Sequence, residues 1–330
     1  MTLEQIGVLG YARVTEAKHA PGFVALPGRA DNQRSRKVIL PSGPLLLSQA
    51  FNGLALGTLL ALVSSGLTII LGTLGVLNFA HGALFMVGAY AIFVISSYTG
   101  SFVLGLIVGC VFMLVVGVIL ERGLIRWFYN RPPEDQILVT FGAGIILVEG
   151  VRAIFGGESQ HVMLPAWGEG ATQIGFLIYP TYRLQLIGII AALLIGFYLV
   201  LYRTSIGLVV RAGIEDARMV GILGINVRRA FLLVFAIGVL AAGLAGMFYA
   251  PIVAVTPDMG AEFLVESFVV IVIGGLGSYP GAVVGGLIAG EIVSITSAFN
   301  SAYSEVMLYA VMALLLVVRP QGLFGSEGRV

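Results

Sequence analysis

The chain has 330 residues, 58% of them hydrophobic and only 11% charged, with a net charge of +1 and a mean hydropathy of +1.01. Soluble domains carry roughly 25% charged residues, so a single globular core cannot hide this much apolar surface and lipid must be the solvent for most of it. The balanced charge gives no basis for a nucleic-acid partner, and the single cysteine, Cys110, excludes an internal disulfide. The 45 glycines, in such a chain, indicate close helix packing and broken helices. The expected fold is all-α: a polytopic integral membrane helical bundle of about eight or nine membrane segments, one of them broken or re-entrant.

Residues 1–43 differ from the rest. They carry Arg13, Lys18, Arg29, Arg34, Arg36 and Lys37 without a long apolar run, and no short apolar stretch with a cleavage site marks a secretory signal. They are expected to be a basic, disordered extension, followed by a membrane domain over 44–325 and a tail over 326–330. Apolar stretches then succeed one another at 45–71, 79–95, 102–120, 137–154, 184–201, 230–250, 263–273, 282–295 and 306–318. A spanning helix needs about 20 apolar residues. The stretch 263–273 reaches that only with its flanks, so it reads as a half-helix or re-entrant segment.

Positive charge sets orientation. The loop 121–135 holds Arg122, Arg126 and Arg131, and the loop 203–229 holds Arg203, Arg211, Arg218, Arg228 and Arg229. Two spans separate these loops, so both fit the cytoplasmic side. The connection 156–183, with Pro165, Trp167 and Tyr179, then fits the outside, and three later segments return Arg319 to the inside. A basic tail inside the cell would conflict with three crossings before residue 121. Either the tail is external, or 45–120 crosses an even number of times; the second is expected, through a broken segment near 66–82.

Three motifs concentrate polar groups or glycine. In Leu74-Gly75-Val76-Leu77-Asn78-Phe79-Ala80-His81-Gly82, an amide and an imidazole sit between apolar runs, where burying them is costly unless they are paired. Asn78, His81 and Gly82 admit two readings: a helix break lining a pathway, or a tight interfacial turn. In the first, Asn78 caps the next helix and His81 bonds across helices; in the second there is a helix cap and no substrate contact. The loop containing Arg211, Ala212, Gly213, Glu215, Asp216, Arg218, Gly221 and Gly224 is expected to form a short amphipathic helix. It would be opened by Glu215, Asp216 and Ala217 and ended by Gly221 and Gly224. It offers a docking surface, the plain alternative being a solvated loop that only sets topology. The run Gly274-Gly275-Leu276-Gly277 stops a helix, and its exposed backbone must face protein or water. It is a pathway element or a tight turn. Glu149 and Arg152 have the spacing of a same-face pair, and Glu291 is an intramembrane acid.

There is no G-x-x-x-x-G-K-[ST] loop, so the chain does not bind ATP in that way. No metal is expected, for want of a His-Glu-x-x-His pattern or Cys/His cluster, and no residue is assigned a catalytic role.

With the motifs set out, the chain resembles the membrane subunits of branched-chain amino acid ABC importers, specifically the H-type permease. The resemblance rests on Gly66-Leu67-Thr68, on 76–82 followed by Gly88-Ala89-Tyr90, and on Leu223-Gly224-Ile225-Asn226. It rests also on 272–278 with Pro280-Gly281-Ala282 and on the ending Arg319-Pro320-Gln321-Gly322-Leu323-Phe324-Gly325. It covers about 45–325 and omits the first 41 residues. It implies a permease of the inner membrane, without an ATPase site or cofactor of its own. The implied partners are a second related permease, two ATPase subunits that use ATP, and a periplasmic or tethered binding protein. On the resemblance, residues 211–224 couple to the ATPases, and Asn78, His81 and the 274–277 break are pathway elements. Related permeases serve urea and short amides, which leaves the substrate open. A stand-alone secondary transporter, with Glu291 or Glu149 as coupling acid, is the alternative from another class.

Overall fold

The structure, a computed structural model, describes residues 42–129, 131–224 and 226–325; the expected extension over most of 1–43 and the tail 326–330 lie outside them. The described chain is helical except for a small β-hairpin. In order it comprises α1 (Gly43–Leu74), α2 (His81–Thr99), α3 (Phe102–Gly123), α4 (Pro133–Phe155), β1 (Ala171–Ile174), β2 (Leu177–Pro180), α5 (Thr181–Arg203), α6 (Ser205–Ile222), α7 (Val227–Tyr249), α8 (Met259–Gly274), α9 (Tyr279–Asn300) and α10 (Ser304–Val318). Among the described residues seven stretches are long and apolar enough to cross a membrane; the last, Tyr279–Val318, holds both α9 and α10.

Lipid inverts the usual logic of helix faces. On α3 the small residues Gly105, Gly109 and Gly117 are buried against α2 and α7, while Val103, Ile107, Val111, Val115 and Ile119 on the other faces are exposed. Small residues let backbones approach, and branched apolar chains meet lipid. α1, α2 and α7 are the buried centre. The most extensive helix pair is α1 with α9, seated on Gly53, Gly57, Gly286 and Gly290. A methyl group on Gly290 would run into the backbone of Gly53 and Gly57.

Side-chain contacts sort the helix ends onto two sides. At one, Arg183 Nη1 and the Tyr179 hydroxyl donate to Asn52 Oδ1 at 2.7 and 3.0 Å, and Ser294 donates to the Gln49 carbonyl at 2.6 Å. This gathers the start of α1, the hairpin, the start of α5 and the end of α9. At the other, Tyr129 rests against Phe231, ring centroids 5.7 Å apart, and the Tyr279 hydroxyl donates to the Leu194 carbonyl at 2.6 Å. The Leu323 and Phe324 amides donate to the Ile273 and Gly274 carbonyls, both at 2.9 Å. The second side carries Arg122, Arg126, Arg131, Arg203, Arg211, Arg228, Arg229 and Arg319, so it is the cytoplasmic side.

This corrects the expected crossing number. α1 begins on the outer side and α3 ends on the inner side, so three crossings precede residue 121. α1 is also unbroken through Gly66, which keeps helical geometry and packs against Gly238 and Ala241 of α7. The break falls later, at 75–80, where Gly75 takes φ 65°. The connection before α5 is external, as expected. Tyr179, however, is buried against Asn52 rather than set in the lipid interface.

Gly290→Ala is expected to destabilise the bundle by about 1–3 kcal/mol through overpacking, seen as a lower thermal midpoint in detergent. Gly196→Ala, with open space around the new methyl, is expected to leave it unchanged.

Candidate functional site

The 75–80 segment runs from the exposed Gly75 at the inner end of α1 up into the bundle. Asn78 and His81 are fully buried. His81 Nε2 lies 2.9 Å from the Val63 carbonyl of α1. A carbonyl only accepts, so Nε2 carries the proton. Val63 stands eleven residues before Leu74, so α2 starts about 16 Å above the inner end of α1. The expected bond from His81 across helices is present.

Backbone freed by such a break must be satisfied by protein. Thr140 of α4 does this. Its hydroxyl accepts the Phe79 amide at 3.1 Å, and its single proton reaches the Gln136 carbonyl at 2.8 Å or the Leu77 carbonyl at 3.1 Å. Asn78 does not cap α2 as expected. Its Oδ1 accepts the Ala80 amide at 3.1 Å in a local side-chain turn, while the His81 amide bonds the Asn78 carbonyl; α2 has no side-chain cap. Asn78 Nδ2 and His81 Nδ1 have no hydrogen-bond partner among the described residues. Gly82 closes the arrangement: a methyl there would collide with the Gly260 carbonyl of α8.

The other candidates lie elsewhere. Gly274, Gly275 and Gly277 form the α8–α9 turn at the inner end, with Gly275 and Gly277 at φ 103° and 77°. The C-terminal segment 321–325 packs on this turn. Glu291 faces Gly53, eleven residues above Ser64 on α1 and so toward the outer side. It lines an apolar groove between α9 and α10. Glu149 and Arg152 do pair, and Arg152 also bonds Asp258 at 2.6 Å.

At the inner end the expected amphipathic helix exists, with earlier bounds. α6 opens at Ser205, where the Thr204 hydroxyl accepts the Gly207 amide, rather than at Glu215. The Thr204 cap outweighs the acidic trio as a start signal. Arg211, Ala212, Gly213, Glu215, Asp216 and Arg218 all lie within it. Gly221 sits in its last turn, and Gly224, at φ 78°, ends the turn that follows. Also at the inner end, Glu121 is fully buried and bonded by Arg126 at 3.0 Å and Tyr129 at 3.1 Å. Burial, then the charge of Glu121, holds the Tyr129 hydroxyl above its ordinary pKa, so it stays a donor.

Sequence reasoning missed two residues. Thr140 was hidden in an apolar stretch, where a lone hydroxyl is unremarkable. Glu266 of α8 lies beside Ser267, whose carbonyl accepts Ser64 at 3.5 Å. That puts an acid about 15 Å above the inner end of α1, deeper than Glu291. The pair Glu262 and Glu266, four residues apart within a short apolar run, was the available signal.

A helix broken in mid-bundle, glycine-seated spans and an inner amphipathic helix define a membrane-transport subunit. The chain belongs to the family described as branched-chain amino acid transport system, permease component, which it matches over residues 49–316. It is 33% identical to the high-affinity branched-chain amino acid transport system permease protein LivH of Escherichia coli K12, over 84% of this chain and 95% of that protein. It is 29% identical to BraD of Pseudomonas aeruginosa, over 84% and 95%. It is 25% identical to the E. coli permease LivM, over 87% and 72%. No solved structure matches.

Thr140→Val removes the acceptor for a buried amide, and is expected to cost about 1–3 kcal/mol in thermal unfolding and to reduce uptake. Thr140→Ser is expected to retain both.

Proposed function

We propose that the chain is one of two membrane subunits of an ATP-driven importer of branched-chain amino acids in the cell inner membrane. A second, related permease completes the passage, two ATPase subunits dock on the cytoplasmic side, and a binding protein delivers substrate from outside. The observation that carries this reading is α6. It is an eighteen-residue helix held between the inner ends of α5 and α7, where a docked ATPase would move it and, through α7, the buried centre of the bundle. Exposed Leu208, Ile222 and Leu223 give it an apolar contact surface. The resemblance of one chain to both LivH and LivM supports pairing of two related permeases. The absence of a phosphate-binding loop in the sequence supports an energy source in separate subunits.

In this reading ATP binding by the partners draws the α6 surfaces together, and the α1–α2 break and α8 shift at the permease seam to change the side that is open. A second reading, secondary transport, is favoured only by the depth of Glu266, since coupling acids of such transporters lie near the midplane.

Purification of the tagged chain from native membranes in mild detergent is expected to bring down a second permease and ATPase subunits, identified by mass spectrometry; recovery of the chain alone would overturn the proposal. Gly221→Pro, which breaks the last turn of α6, is expected to lower uptake several-fold while the assembly stays intact. Normal uptake would remove α6 from the coupling.

A further inference from the structure

Near the outer side the bundle has an open pocket of about 270 Å³ between α1, α5, α9 and the end of α7. Its polar wall is Gln49, Asn52, Arg183, Tyr249, Ser294 and Ser297. Its apolar wall includes Leu56, Ile252, Val253 and Val293. Drug-sized ligands occupy pockets of roughly 300–1,000 Å³, so this one suits a single small metabolite.

Arg183 is the unusual member. It is half-buried, and its hydrogen bonds go to neutral groups: Nη1 to Asn52 Oδ1 at 2.7 Å, with the Tyr179 hydroxyl beside it. No carboxylate among the described residues pairs with it. Asn52 is itself fixed by Gln49, its Nδ2 donating to Gln49 Oε1 at 3.1 Å, and the single Ser294 hydroxyl proton reaches that oxygen at 2.9 Å or the Gln49 carbonyl at 2.6 Å. The guanidinium is therefore held by a rigid neutral frame with donors to spare, a geometry suited to a carboxylate. The Tyr249 hydroxyl, across the cavity, lies in the field of Arg183 and also of Glu262 and Glu266. The cavity is thus positive at one end and apolar along one wall, with the Tyr249 hydroxyl across from Arg183.

We propose that this cavity is an outward-side station within the single subunit for a free aliphatic α-amino acid. Arg183 holds the carboxylate, the Leu56–Val253–Val293 wall takes the branched side chain, and the ammonium group lies on the Tyr249 side. The site rests on the importer reading, and gives the permease a share in substrate selection in addition to that of the binding protein. A bare amine lacks the group Arg183 holds. Urea lacks both the carboxylate and the apolar tail.

The test uses the whole transporter in proteoliposomes. Val253→Cys in a Cys110→Ala background is labelled by a membrane-impermeant maleimide from the outer side. Leucine is expected to slow labelling about threefold once it reaches about twice its Kd. 3-Methylbutylamine, which lacks the carboxylate, is expected to give no protection. Arg183→Gln should abolish protection by leucine, and Arg183→Lys should retain part of it. Loss of thermal stability in Arg183→Gln with leucine protection intact would make Arg183 a structural strap and overturn the site. Leucine uptake by the same assembly is measured in parallel. Uptake without protection sinks the station and leaves the importer standing, whereas neither uptake nor protection sinks the importer reading itself.

Discussion

Hydrocarbon offers no hydrogen bonds, so a helix that stops inside the membrane must find partners for its freed backbone within the protein. The break at 75–80 imposes that demand. α4 meets it with Thr140, which takes the Phe79 amide, and His81 ties the start of α2 to Val63 of α1. Gly82 and Gly260 bring α8 against the same point. Four helices thus converge on six residues of irregular chain. The depth at which α2 begins, and the short reach of α8, follow from that convergence.

Around this point the bundle divides by side-chain size. Where glycines face one another, as between α1 and α9 or α2 and α7, backbones touch and the interface has little room to adjust. Where branched apolar residues face outward, as on α3, α4 and α5, lipid is the neighbour. α4, α6 and α10 pack less extensively than the central helices. In the proposed reading, motion of α6 would enter the bundle through the ends of α5 and α7, on which it packs, and pass to the closely packed centre.

Much of this was legible in the residues. The polar motif at 74–82 marked a real interruption, the loops rich in arginine do fall together on one side of the bundle, and the spacing of Glu149 and Arg152 marked a real pair. What was not legible depends on distant partners. Gly66 reads as a breaker in isolation, yet its packing against Gly238 of α7 keeps α1 helical. Three full-length helices, α1, α2 and α3, therefore precede the loop at 121–135. Asn78 had the chemistry of a cap, but its own short turn with Ala80 is closer than the helix end. Thr140 and Glu266 were hidden because apolar stretches mask isolated polar residues until the fold shows what stands beside them. The start of α6 was misjudged because acidic residues mark a helix interior as readily as its first turn.

The family relation and the inner helix together make energy supplied from outside the chain the central claim. Proteoliposomes holding this chain with its co-purified partners, ATP trapped inside or withheld, and binding protein with labelled leucine outside, test it most directly. The account predicts leucine accumulation that requires ATP and ceases when the ATPase subunits are inactivated. Accumulation by this chain alone, driven by an ion gradient without ATP, would contradict it and turn attention to Glu266.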